Sequence, residues 1–134
     1  MANLSTFSQI DSGRHFLGFA SAAAPTAIWL ALCTSTPNDT GIGAGEVVAA
    51  GYARISIGID AANWTDVGDG TFTNANIITF GPPAANWGIV SYFALMSLVT
   101  AGQIYSWNAL TTPQDATNGS PVNFPVGSLV VEFV

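Results

Sequence analysis

Turn-forming residues interrupt this chain at short intervals, and their spacing limits the folds that are open to it. Glycine, proline, asparagine and aspartate separate the apolar stretches from about residue 28 onward. We expect about seven or eight short strands, because stretches with this spacing favour an antiparallel β-sandwich or jelly-roll barrel over alternating βαβ units. The expected strands cover residues 28–34, 52–60, 71–80 (one strand or two), 88–98, 103–110, 122–124 and 128–134.

The N-terminal part of the chain follows a different pattern. Between residues 3 and 19, apolar side chains recur every three to four positions, which predicts a helix. The chain therefore divides into an N-terminal helix or arm, residues 1–22, and a single β-sandwich domain, residues 23–134. The fold class that we predict is mainly β, with a short N-terminal helix.

Three polar stretches lie between the expected strands. Residues 35–45, 63–70 and 111–121 are rich in glycine, asparagine and aspartate, so they predict surface loops or turns. A short Thr-Ala-Gly stretch at residues 100–102 predicts a tight turn. The strands on either side of that turn are expected to pair as a hairpin.

Charged residues are unusually scarce. They make up 7% of the chain, against about 25% in an ordinary soluble domain, while hydrophobic residues reach 49%. The two basic residues are Arg14 and Arg54, and lysine does not occur. A surface so poor in charge indicates that copies of the chain, or a larger assembly, cover much of it.

The charge balance also excludes some partners. The formal net charge is −6, and two arginines cannot neutralise the several phosphates that a nucleic acid presents. Direct binding to nucleic acid or to an anionic membrane surface is therefore not expected. No signal peptide is recognisable, and no apolar stretch reaches the roughly 20 residues of a membrane-spanning helix. We expect a protein that stays in the cytoplasm or in a particle assembled there.

The side chains that usually carry enzyme chemistry are few. One histidine, His15, and one cysteine, Cys33, cannot form a zinc site of the Cys/His type. Cys33 lies inside an apolar run, which favours a small buried hydrophobic residue over a nucleophile. Aspartates such as Asp66 and Asp69 occur in turn-like contexts without the spacing of a calcium loop. We expect no catalytic residue, no metal site and no cofactor.

Glu46 and Arg54 are each an isolated charge in an apolar stretch. An arginine on a strand that is otherwise apolar needs a carboxylate, because burying it without a partner is costly. We therefore predict a structural or intersubunit salt bridge between Glu46 and Arg54.

Five further residues are candidates for contacts with a partner. Tryptophan is enriched at protein interfaces, and the N-terminal helix offers aromatic side chains and one arginine. Trp64 and Trp87 could also form a platform for a carbohydrate, although packing in the core or at a subunit interface is favoured. The candidate interface residues are Phe7, Arg14, Phe16, Trp64 and Trp87.

The order of several short motifs resembles a known family. The motifs are His-Phe-Leu at 15–17, the apolar stretch 27–32, Thr-Ser-Thr-Pro-Asn-Asp-Thr-Gly at 34–41, Glu-Val at 46–47, Gly-Tyr-Ala-Arg at 51–54, and stretches at 78–80, 85–90 and 109–113. Their order is similar to that of small virion proteins of tailed bacteriophages, described as tail-fibre-like or as head decoration (cement) proteins. The resemblance covers about residue 10 to the end, and it implies structure and assembly rather than catalysis.

Within that family the sequence leaves more than one role open. We favour a capsid decoration protein that binds the major capsid protein as a homotrimer and stabilises the head shell. The alternative is a tail or tail-fibre protein that takes part in host attachment and contacts tail proteins. Because the polar loops 35–45 and 111–121 carry no aromatic residue, we rank capsid decoration first. A glycan-active enzyme ranks last. The expected location is the virion, assembled in the cytoplasm of the bacterial host.

Overall fold

The computed structural model of the chain describes residues 3–20, 25–42, 45–117 and 119–133. Its architecture is mainly β with a short N-terminal helix, which confirms the predicted fold class. The predicted boundary between arm and domain, after residue 22, lies outside the described residues. The elements in chain order are β1 (Asn3–Leu4), α1 (Thr6–Phe16), β2 (Ile28–Cys33), β3 (Ile55–Ile57), β4 (Trp64–Gly68), β5 (Thr71–Asn74), β6 (Ile78–Phe80), β7 (Gly88–Met96), β8 (Ile104–Ala116), β9 (Val122–Phe124) and β10 (Val130–Glu132).

The strands form three antiparallel sheets. The largest has five strands in the order β1-β8-β7-β2-β3, and β7 and β8 form the predicted hairpin at its centre. A three-stranded sheet has the order β10-β5-β4, and β6 pairs with β9. The strands at the two edges of the five-stranded sheet are short, with two residues in β1 and three in β3.

The main core lies between one face of the five-stranded sheet and the two smaller sheets. Side chains alternate between the two faces of a strand, so every second residue of β2, and of β7 beyond its bulge, points into this core. From the five-stranded sheet it takes Leu30, Leu32, Ile57, Phe93 and Leu95, and from the smaller sheets and their connections Phe80, Val122, Phe124, Leu129 and Val131.

The opposite face of the five-stranded sheet carries a second apolar cluster. Ala31, Ala94, Met96 and Ile104 are buried there. Trp29 and Trp107 pack against them and are partly buried. Strand β2, which lies between β7 and β3, is therefore covered on both faces, and this explains its unbroken run of apolar residues.

The structure corrects three predicted elements. The stretch 63–70 is not only a turn, because β4 occupies Trp64–Gly68 and pairs with β5 across Asp69 and Gly70. Asp69 and Gly70 both have a positive φ, 56° and 74°, which is the geometry of a tight two-residue hairpin turn. β8 runs on to Ala116, into the stretch predicted as a loop, because its end pairs with the beginning of β7 beyond a bulge. The strand predicted over 52–60 is limited to β3.

The predicted helix over 3–19 is also shorter in the structure. Asn3 and Leu4 form β1 and pair with β8, so α1 begins at Thr6. The Ser5 hydroxyl accepts a hydrogen bond from the Ser8 amide at 3.1 Å, which caps the helix. Leu17 ends it.

Contacts between α1 and the sheet lie at the beginning of the helix. The Ser8 hydroxyl donates to the carbonyl oxygen of Tyr105 at 2.8 Å. The rings of Phe7 and Tyr105 lie 5.9 Å apart between centroids. None of the helix residues is buried, so the second half of α1 is exposed.

Candidate interaction surfaces

The structure brings Glu46 and Arg54 into direct contact. Arg54 Nε donates to Glu46 Oε2 and Arg54 Nη2 donates to Oε1, each at 2.7 Å. Glu46 is held beside β2 by a backbone bridge to Cys33, and Arg54 directly precedes β3. Both parallel hydrogen bonds lie within one chain, in the bidentate geometry that makes arginine–carboxylate pairs strong.

Arg54 also fixes the turn between β7 and β8. Its Nη1 donates to the carbonyl oxygens of Leu98 and Ala101, each at 2.8 Å. Ala101 has a φ of 52°, a left-handed conformation that residues other than glycine rarely adopt. Because Arg54 is 7% exposed, these hydrogen bonds replace water around the guanidinium, and the arginine clamps the turn to the body of the domain.

Tyr52 completes this polar network and was not among the candidate residues. Its hydroxyl donates to Glu46 Oε2 at 2.7 Å and accepts from the Leu32 amide at 3.1 Å. Its ring packs edge-on against Trp87, with 5.5 Å between centroids. The position of Tyr52, two residues before Arg54, could have indicated this role, because alternate residues of an extended segment lie on the same face.

Burial and hydrogen bonding shift the pKa values of this cluster. Burial raises the pKa of Glu46, but hydrogen bonds from Arg54 and Tyr52 and the charge of Arg54 outweigh it and hold that pKa below its usual value. Hydrogen bonding to Glu46 raises the pKa of Arg54. Burial, followed by the charge of Glu46, raises the pKa of Cys33 to about 12. The pair is therefore ionised at neutral pH and the neighbouring thiol is not.

Trp87 does not face a partner, which corrects its place among the candidate interface residues. It is 4% exposed and belongs to the main core. Its indole Nε1 donates to the Ala50 carbonyl oxygen at 3.1 Å. Of the two settings that the sequence left open for this tryptophan, core or subunit interface, the structure shows the core, where its ring packs beside Tyr52. Trp64 is half-buried, and its Nε1 donates to the Gly58 carbonyl oxygen at 2.8 Å.

The candidate residues of the N-terminal helix divide into two groups. Phe7 is half-buried against Tyr105, whereas Arg14 and Phe16 are exposed, Phe16 by 83%. Leu17 and Phe19, which follow the helix, are also largely exposed and were not among the candidates. We call residues 14–19 the arm tip.

A second apolar surface is a groove of about 420 Å³. It lies between the five-stranded sheet, represented by Ile28 and Leu95, and the three-stranded sheet. We call it the apolar groove. Its other apolar lining residues are Ile59, Ala61, Trp64, Phe72, Val131 and Phe133, and its acidic residues are Asp60 and Asp66.

The part of the chain that the structure describes contains no group of three or more histidine, cysteine, aspartate or glutamate residues placed to hold a metal ion. None of the helices in the described ranges is long and apolar enough to cross a membrane. The main polar cluster, around Glu46 and Arg54, stabilises the fold. Two surfaces directed outward, the arm tip and the apolar groove, are mainly apolar.

Large exposed apolar side chains on a charge-poor antiparallel β domain are typical of a protein whose surface takes part in contacts with other proteins. The sequence model of one family, described as Podophage GP4 fiber I protein gp80, matches residues 3–132. The chain therefore belongs to this family of phage fibre proteins, which confirms the expected kinship with tail-fibre-like virion proteins of tailed phages. A search of curated proteins found no match.

Proposed function

We propose that the chain is a non-enzymatic structural subunit of the phage tail fibre, or of a part attached to it. From the sequence we ranked capsid decoration above a role in the tail. The family description names a fibre protein, so the proposal adopts the alternative. Its partners are copies of itself, as a homotrimer, and neighbouring tail proteins. Its place is the virion, after assembly in the cytoplasm of the bacterial host.

The observation that carries this proposal is the number of large apolar side chains on a surface with few charges. Exposed apolar area of this kind is typical of surfaces that a protein partner covers. Several of these residues lie outside the arm tip and the apolar groove, so more than one neighbour can be accommodated. The exposed large apolar residues are Ile10, Phe16, Leu17, Phe19, Val48, Ile59, Val67, Ile77, Ile89, Leu98, Val99, Val126 and Phe133.

The state of the cysteine supports a non-enzymatic role. Cys33 is fully buried, and its pKa of about 12 keeps the thiol protonated at neutral pH. Thiolate is the nucleophilic form of cysteine, so Cys33 is not activated for catalysis. His15, the chain's single histidine, lies on the exposed arm and not beside Cys33.

Immunogold labelling of intact phage particles tests the location. Antibodies raised against the purified chain are expected to place gold at the tail fibres. Gold confined to the capsid would overturn the tail role in favour of capsid decoration, and particles without label would exclude a structural role in the virion. Light scattering of the purified protein measures its mass in solution, and any mass other than that of three chains would refute the homotrimer.

A further inference from the structure

The arm tip is an apolar surface without a described partner. Phe16, Leu17 and Phe19 are 83%, 76% and 67% exposed. Arg14 and His15 precede them in the last turn of α1 and are also exposed. A soluble chain rarely leaves several large apolar side chains adjacent to one another in water unless another surface covers them.

The apolar groove has the complementary chemistry. Its volume of about 420 Å³ lies within the range of roughly 300–1,000 Å³ that is typical of binding pockets. It can therefore take a few large side chains. Ile59 and Phe133 at its mouth are 43% and 44% exposed. Asp60 and Asp66 add two carboxylates to the lining, and neither forms an ion pair with a described residue.

The distribution of charged residues indicates what fills the apolar groove. The chain has two arginines and no lysine, and Glu46 with two backbone carbonyls already engages Arg54. Arg14 is therefore the arginine that a copy of this chain can offer to the carboxylates of the groove. It lies at the start of the same short segment that exposes the three apolar side chains.

We propose that the arm tip of one copy fills the apolar groove of a second copy, with Arg14 next to Asp60 and Asp66. The contact joins two different surfaces, so it is head-to-tail. Such contacts form a closed ring when the rotation between copies allows it. The inference rests on the proposed structural role only in its premise that copies of the chain meet. It names the two surfaces through which they do so.

Sedimentation velocity of the full chain over a range of concentrations tests the contact. The double variant Phe16→Ser/Phe19→Ser is expected to raise the dissociation constant at least tenfold, as loss of buried aromatic anchors commonly does. The matched control is Val48→Ser, at a side chain that is 93% exposed and lies outside both surfaces. It is expected to leave the dissociation constant unchanged. Far-UV circular dichroism verifies that each variant is folded.

A charge exchange tests whether two copies are involved. Arg14→Glu places a negative charge on the arm tip, and the double variant Asp60→Asn/Asp66→Lys replaces the two carboxylates of the groove lining by one positive charge. Each variant alone is expected to associate more weakly than the wild-type chain. An equimolar mixture regains association, because each arm then meets a groove of opposite charge.

Three results would overturn the proposal: a wild-type chain that stays monomeric at every concentration, arm variants that associate as the wild type does, or a mixture without recovery. None of these would change where antibodies label the particle. Conversely, gold on the capsid would refute the proposed tail location and leave the arm–groove contact intact.

Discussion

Removing the Glu46 carboxylate is expected to destabilise the fold strongly. In Glu46→Ala the Arg54 guanidinium loses the acceptor of two 2.7 Å hydrogen bonds but keeps its charge inside the domain. Tyr52 loses the acceptor of its hydroxyl hydrogen at the same time. Three donors are therefore left without the carboxylate that held them.

The size of the effect follows from the burial of the two partners. Leaving one member of a buried ion pair unpaired costs about 3–5 kcal/mol. The Arg54 side chain is 3% exposed and the Glu46 side chain 17%, so water can reach the vacated carboxylate position. Arg54 also retains its two carbonyl acceptors. We therefore expect about 3 kcal/mol, at the lower end of the range. For a domain of this size that corresponds to a fall in Tm of roughly 10 °C.

Urea unfolding followed by tryptophan fluorescence measures the change. The control is Asp115→Ala, which removes an exposed carboxylate from β8 and is expected to alter the free energy of unfolding by less than about 0.5 kcal/mol. The double variant Glu46→Leu/Arg54→Met removes both charges and is expected to lose less than the sum of the two single variants. A loss below about 1 kcal/mol in Glu46→Ala would refute the reasoning, because that is the range of exposed ion pairs.

Three further predictions concern pH, thiol reactivity and an unpaired hydroxyl. Because the pKa of Glu46 is lower in the folded chain, its contribution to stability is complete above the unfolded value of about 4.3 and disappears as pH falls through the folded value. The stability difference between wild type and Glu46→Gln, from urea unfolding at several pH values, is therefore expected to narrow in acid; a constant difference would contradict this. Cys33, fully buried with its pKa raised to about 12, is expected to react with a thiol reagent only after unfolding, and rapid labelling of the native protein would show otherwise. The buried Ser106 hydroxyl has no hydrogen-bond partner among the described residues, so Ser106→Ala is expected to raise the free energy of unfolding by about 1 kcal/mol; a loss of stability would reveal a partner.

The sequence predicted the elements whose pattern is local. The apolar run at 28–34 and the turn at 100–102 lead to β2 and to the β7–β8 hairpin, because burial on both faces and tight turns leave direct composition signals. β4 was missed because Asp66, Gly68 and Asp69 are turn-forming residues. In the structure Asp66 and Gly68 belong to β4, and Asp69 lies in the tight turn through which β4 pairs with β5.

The candidate surfaces were harder to predict from the sequence than the strands and turns. The isolation of Glu46 and Arg54 was enough to propose their pairing. The role of Arg54 in holding the turn at Ala101 depends on a contact between segments 47 residues apart, which no local pattern reports. The apolar groove likewise takes its lining from several strands and connections. Trp87 was listed as a candidate interface residue because tryptophan is enriched at interfaces, and that general preference does not show which way its ring points.

The short strand at the N-terminus has a consequence for the timing of folding. Asn3 pairs with Trp107 and Leu4 with Ser106, so the first described residues obtain their partners only after about a hundred more have been made. At roughly 5–20 residues per second, this takes about 5–20 s on the ribosome. The arm, with its exposed aromatic residues, is thus anchored late in synthesis. The apolar groove of the same copy is completed later still, because Val131 and Phe133 contribute to its lining.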